Sequence, residues 1–235
     1  MFFDISMSID GFRYSAFMHI DRGGKLQTGP AWDWNLSFGN ADYYDGSDPN
    51  GWYTPLLRES EICWFRRLVE DPEFGQRHID RWAELRRDVF STRKILARVD
   101  ELAALLGEAQ ARNFRRWPIM GRRVNPNDYV GNTYEDEVKW MKQWIQKRLA
   151  WIDGQFIPPP SLTEANGSVA LSASSGKIYY TLDGSDPRLP GGGVAPQARL
   201  YSAPITLHAD ARVVARVAQD GLWSWPAAGK FSVGK

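Results

Sequence analysis

Apolar positions keep a helical period before residue 155 and a strand period after residue 168. In the first part Ile95, Val99, Leu102 and Leu106 recur at three- and four-residue steps, as do Val138, Met141, Ile145, Leu149 and Ile152. Such spacing lays one apolar stripe along a helix. Helix start signals stand in this same part. Asp71 before Pro72 predicts a capped helix over EFGQRHIDRWAELRRDVF, Ser91 or Thr92 caps the next, and Thr133 with Asp136 makes an approximate capping box for the last. Trp140, Trp144 and Trp151 flank the last stripe and read as core or interdomain packing rather than a cofactor box.

Ahead of the helices, FRYSAFMHI and KLQTGPAWDW are separated by DRGG, which predicts a β-hairpin. Lys25, beside Gly23 and Gly24, then belongs to the hairpin loop. In the second part KIYYTL runs into the turn signal DGSDP, and ARVVARVAQ alternates Val213, Ala215 and Val217 on one face. So many short strands in so short a stretch predict a small sandwich. Asp183 and Asp186 are expected to build its turn, with a calcium role as the weaker alternative. Between the parts, the three prolines of QFIPPPSLTEANGS cannot continue a helix and favour an extended spacer. The expected fold class is α+β: a mainly helical part over residues 1–154 opened by a hairpin, a linker over 155–167, and an all-β, Ig-like sandwich over 168–235.

Composition narrows the chemistry. The 235 residues carry 29 basic and 28 acidic side chains, a net charge of +1, so no global field points to nucleic acid. No apolar run approaches the roughly 18 residues of a membrane span. The amino terminus lacks the basic and apolar regions of a signal peptide. Eleven tryptophans imply aromatic-rich cores or surfaces facing sugars or nucleotides. Cys63 is the single cysteine, so there is no internal disulfide, and within EICWFRRL it reads as a small buried hydrophobe. His19, His78 and His208 form no ligand pattern, and no phosphate-cradling glycine loop is present. The run RRWPIMGRR, with Arg115, Arg116, Arg122 and Arg123, is either a grip for an acidic group or a solvated loop.

One stretch stands apart. In GPAWDWNLSFGN an acid, Asp33, sits between Trp32 and Trp34, and Asn35 follows. Asp33 is either a turn residue accepting backbone N–H groups or a metal ligand at a cleft edge screened by the tryptophans. Asp10, before Gly11 and Phe12, is either an ordinary turn residue or a functional carboxylate.

Residues 8–46, SIDGFRYSAFMHIDRGGKLQTGPAWDWNLSFGNADYYDG, resemble the C-terminal half of the CotH kinase family of spore-coat and secreted atypical protein kinases. The shared features are a W-D-x-N element in a Pro/Gly-rich turn leading to S-F-G, and an upstream Asp followed by glycine and an aromatic residue. The resemblance extends over residues 1 to 153. It implies Mg²⁺ and ATP as cofactors, Asp33 as metal ligand, and Asp10 as the base that orients the acceptor hydroxyl. In ordinary kinases a metal-binding Asn follows that base by five residues; here the position is Ser15, a possible metal or nucleotide contact. Asn35 is the alternative amide ligand, since residues 33 and 35 of a strand share a face. The implied partner is a protein substrate, and the implied location is extracellular or on the cell surface. Nothing in the sequence speaks to an oligomeric state.

A second resemblance covers residues 158–235, where GKIYYTLDGSDPR and LYSAPITLHADARVVARVAQDGLWS are similar to the chitobiase/hexosaminidase C-terminal β-sandwich module. That module is not catalytic. A kinase also needs an N-terminal lobe with a Lys and a Glu for the nucleotide, and only nine residues precede Asp10. The chain alone is therefore expected to be inactive, as a truncated paralogue or the product of a start at an internal methionine. Two classes stay open: the metal-binding half of a kinase that phosphorylates Ser or Thr of surface or coat proteins, and a non-catalytic secreted scaffold whose sandwich associates with surfaces or glycans. A glycoside hydrolase is disfavoured, because no carboxylate pair sits on a recognisable catalytic scaffold.

Overall fold

The computed structural model describes residues 2–54, 64–165 and 167–233. Cys63 lies outside the described residues. The fold is α+β, as expected, and divides into two compact units. One comprises Met1–Leu68 with Leu85–Asp153, the other Val69–Glu84 with Gly154–Lys235.

The first unit is mainly helical. It holds α1 (Phe2–Ser6), a hairpin of β1 (Met18–His19) and β2 (Gln27–Thr28), and, after α2 (Trp64–Glu70), the helices α4 (Thr92–Leu105), α5 (Gly107–Arg116) and α6 (Tyr134–Asp153). The capping box at α6 forms in both directions: Asp136 N–H donates to Thr133 Oγ1 and Thr133 N–H donates to Asp136 Oδ2, each at 3.1 Å. Burial of Trp144, Ile145, Leu149 and Ile152 against α1 and the segment after it makes the core, with Ile5, Met7, Ile9 and Phe12 opposite. The tryptophans pack as expected: Trp144 donates to Ser47 O at 2.8 Å, and Trp140 stacks on Tyr129.

Arg148 breaks the stripe. Its side chain is fully buried between the apolar residues of α6 and donates to the carbonyls of Asp4, Pro49 and Gly51 while lying over Trp52 and Trp151. Burial pushes its guanidinium down to about 10, and the charges of Asp4 and Asp48 pull the other way. The hairpin is shorter than its apolar runs suggest, with only Met18 opposite Thr28 and His19 opposite Gln27. α4 has its expected apolar face, yet none of its residues is fully buried.

The second unit combines α3 (Pro72–Arg86), up to Glu84, with the sandwich. Asp71 caps α3, its Oδ1 accepting from Glu73 N–H at 2.7 Å and Phe74 N–H at 3.1 Å. One sheet orders β10 (Ala227–Phe231), β8 (Ala211–Gln219), β5 (Lys177–Thr181) and β6 (Arg199–Leu200), with β9 (Leu222–Trp223) also on β8. The other orders β3 (Ser161–Ala165), β4 (Ser168–Ser172) and β7 (Ile205–Thr206). Val213, Ala215 and Val217 face Val169, Leu171 and Ile205 in the shared core, as the alternation predicts.

The opposite face of β8 departs from simple alternation, since Val214 and Arg216 are also buried. Arg216 donates to both carboxylate oxygens of Asp80 on α3, at 2.7 and 2.9 Å, and to both of Asp186, at 2.8 and 2.5 Å. Burial opposes its charge, but these hydrogen bonds outweigh burial and hold the guanidinium above its ordinary value. Asp183 builds the turn as expected, accepting from Ser185 N–H and Oγ–H. Asp186 does more than turn the chain: it accepts from Arg188 N–H and also neutralises Arg216.

Candidate active site

Asp10 opens a tight turn. Its carbonyl accepts from the N–H groups of Arg13, Tyr14 and Ser15 at 3.0, 2.9 and 2.8 Å. Asp10 and the buried Ser15 therefore belong to one backbone feature. The carboxylate is held from the side, since Arg13 Nη2 donates to Asp10 Oδ1 at 3.2 Å. The Arg13 guanidinium in turn lies between Tyr14 and Tyr44, 5.0 and 4.9 Å from their ring centroids. Burial raises the pKa of Tyr43, and the negative charge of Asp10 adds to the rise while the Arg13 guanidinium opposes it.

The Trp32–Gly39 segment lies alongside. Ile9 N–H donates to Leu36 O at 3.2 Å and Phe38 N–H to Ser6 O at 2.6 Å, so the backbone entering the Asp10 turn is laced to the backbone leaving the Asp33 turn. At their far ends the same stretches are joined by the hairpin, where Gly29 N–H donates to Phe17 O and the Phe17 and Trp32 rings meet edge to face. Phe38 packs on Trp144, and Gly39 fits only because it has no side chain: a Cβ there would stand 2.4 Å from Trp140 and 2.6 Å from Trp144.

Asp33 itself departs from expectation in two ways. It is not in a strand: β2 ends at Thr28 and Asp33 adopts φ of 55°, so the alternation that would put residues 33 and 35 on one face does not apply. Nor is it in a dry seat, for Asp33 is exposed and Trp32 beside it is 58% exposed. Asn35 accepts from Asn40 Nδ2 through its carbonyl at 2.9 Å and lines an apolar groove beside α4 and α6. Among the described residues no hydrogen bond or ion pair joins Asp10 or Ser15 to Asp33 or Asn35.

Left-handed backbone concentrates here, at Met7, Asp33, Phe38, Tyr44 and Asp45. Such strain costs on the order of 1 kcal/mol or more per residue, and it clusters at functional sites. Sequence reasoning missed Arg13 and Tyr44. The one available signal was a cation three residues after an acid, which is too common to single out.

The oxygen donors that this segment offers, the Asp33 carboxylate and the Asn35 amide, are of the kind a hard cation takes. Among the described residues no three His, Cys, Asp or Glu side chains gather as a metal cage. Asp33 and the Asn35 amide oxygen instead suit magnesium, which is commonly held by one or two carboxylates, with waters and substrate phosphates completing its shell.

The first unit thus carries a strained, carboxylate-bearing turn laced to its helices, and the second carries the β-sandwich, in an α+β protein. The family model described as CotH kinase protein matches residues 4–152, and the chain belongs to that family. A second model, described as Fn3 associated, matches residues 169–223, in the sandwich. Comparison with curated proteins and comparison with solved structures each found no match.

Proposed function

We propose that the helical unit supplies the metal-side and acceptor-side half of a phosphoryl-transfer site acting on Ser or Thr hydroxyls of surface or coat proteins. The observation that carries this reading is the lacing of the Asp10 turn to the Trp32–Gly39 segment by Ile9–Leu36 and Phe38–Ser6, within the region matched to the kinase family. Asp33, with the Asn35 amide oxygen, would hold Mg²⁺ carried by ATP. Bound there, the cation supplies charge neutralisation on the phosphates. Asp10 orients the acceptor hydroxyl, and Arg13 fixes its carboxylate. The hydroxyl oxygen attacks the γ-phosphorus, the bond from that phosphorus to the β–γ bridging oxygen breaks, ADP leaves with the electron pair, and the hydroxyl proton passes to Asp10. Ser15, buried under the same turn, supports its shape.

The test is calorimetry of Mg-ATP binding to the chain and to Asp33→Ala. Magnesium-dependent binding that disappears in the variant supports the half-site. No binding by folded wild type overturns it for this chain and favours the scaffold reading, which has its own observation: the Asp10 carboxylate is already engaged by Arg13. Glycan association by the sandwich has less support. Among its described residues the most exposed large apolar side chains are aliphatic, such as Leu189, Leu200 and Leu222.

A further inference from the structure

We propose that the loop after α5 seats the chain on an anionic lipid surface, with Trp117 and Ile119 at headgroup level and Arg115, Arg116 and Arg122 on the lipid phosphates. Every residue from Arg115 to Asn125 except Met120 is exposed. Three large apolar side chains of this run are left to solvent: Trp117 is 56% exposed, Ile119 40% and Val124 39%. Leu106, half exposed just before α5, lines the same groove as Ile119 and Val124, which extends the apolar surface onto the α4–α5 elbow.

The charge of this surface is not balanced. Residues 112–128 carry five arginines and one acid, Asp128. Arg112 is paired with Glu108 and Arg123 with Asp42. Asp136 and Glu137 lie in the first turn of α6, where the N–H groups of Thr133 and Gly131 take up their carboxylates. Among the described residues Arg115, Arg116 and Arg122 enter no ion pair. The loop therefore holds a local excess of positive charge in a chain whose net charge is only +1.

Side chains rather than backbone carry recognition here. The N–H groups of Trp117, Ile119, Gly121 and Arg122 all donate within the protein, and Pro118 has none. Little backbone edge is left for an extended peptide to pair with. Arg116 lies over the Trp117 ring, 4.4 Å from its centroid, so guanidinium and indole reach the same surface together. An indole flanked by arginines settles at the boundary between headgroups and hydrocarbon. The exposed aliphatic side chains beside it suit acyl chains better than they suit an acidic peptide or a nucleobase. This inference does not rest on the kinase reading.

The experiment mixes the full chain with sedimentable vesicles of equal parts phosphatidylglycerol and phosphatidylcholine, and with vesicles of phosphatidylcholine alone. The bound fraction is measured at low and high salt, with circular dichroism of each variant in solution. The expected result is saturable binding to the anionic vesicles, little to the neutral ones, and a marked loss on raising the salt. A free arginine near an anionic surface strengthens binding about fivefold, so Arg115→Ser, Arg116→Ser and Arg122→Ser together should weaken it about a hundredfold. Trp117→Ser should weaken it about tenfold. Both variants change exposed residues only and should leave the dichroism unchanged. No binding to the anionic vesicles, equal binding to both kinds, or binding unchanged in either variant would overturn the proposal. So would a chain that leaves the vesicles unbound yet takes polyglutamate or oligothymidylate through the three arginines, an outcome that would assign the loop to a protein or nucleic-acid partner.

Discussion

Arg13 donates to Asp10 across 3.2 Å while its guanidinium lies 4.9 Å from the centre of the Tyr44 ring. The Arg13 side chain is 7% exposed, so its charge depends on these neighbours. Arg13→Gln removes the charge-assisted bond and the ring contact together. It should lower stability by about 1–3 kcal/mol, read as a shift in the urea midpoint at constant slope. An unchanged midpoint would mean that Asp10 is held by its backbone turn alone.

At Asp33 stability and function should separate. A residue other than glycine at φ of 55° carries strain, and Asp33→Gly should be as stable as wild type or gain up to about 1 kcal/mol. Mg-ATP binding should nevertheless disappear in that variant. Loss of stability in Asp33→Gly would instead identify the carboxylate as a structural acceptor.

Gly39 is the reverse case, with no chemistry and much geometry. Its φ is 86°, and a methyl group there would meet the two tryptophans at 2.4 and 2.6 Å, which leaves no room for alanine. Gly39→Ala should cost about 2–4 kcal/mol by thermal or chemical denaturation. It should also weaken Mg-ATP binding without touching a ligand atom, because the displaced segment carries Asn35.

Local signals were readable where short-range chemistry decides the outcome. Asp71 and the Thr133–Asp136 pair cap helices because their partners lie two or three residues away, and β8 alternates because its core face meets another sheet. Long-range partners left no such mark. Arg148 lies inside an apolar stripe because carbonyls at Asp4, Pro49 and Gly51 converge on it, a meeting across more than ninety residues of chain. The left-handed turn at Asp33 was hidden for a related reason: the Trp-Asp-Trp triplet reads as strand by propensity, and the tertiary lacing at Leu36 and Phe38 overrides it. Arg13 went unnoticed because its role is to hold another side chain.

Acid should loosen the second unit in a defined window. Glu73 accepts from Gly191 N–H at 3.0 Å and pairs with Arg188, and these contacts lower its pKa from the ordinary 4.5. A depressed carboxylate contributes stability that is fully present above 4.5 and lost as pH falls through the lower folded value. Asp71 and Asp183 follow the same sign from 3.8, through their backbone and hydroxyl partners. Denaturation of Glu73→Gln should therefore show a flatter decline from pH 6 to pH 3 than wild type. Parallel curves would remove Glu73 from the acid response.

The bond between Arg216 and Asp80 makes the sandwich a poor transplant. A fusion that carried only the residues after the proline run would leave behind Asp80, and with it half of the carboxylate shell around a buried cation. Asp186 alone would have to neutralise Arg216. What looks on paper like a detachable cassette is a β-module that brings its own helix from a distant stretch of the chain, and any graft that is to stay folded must take Val69–Glu84 along.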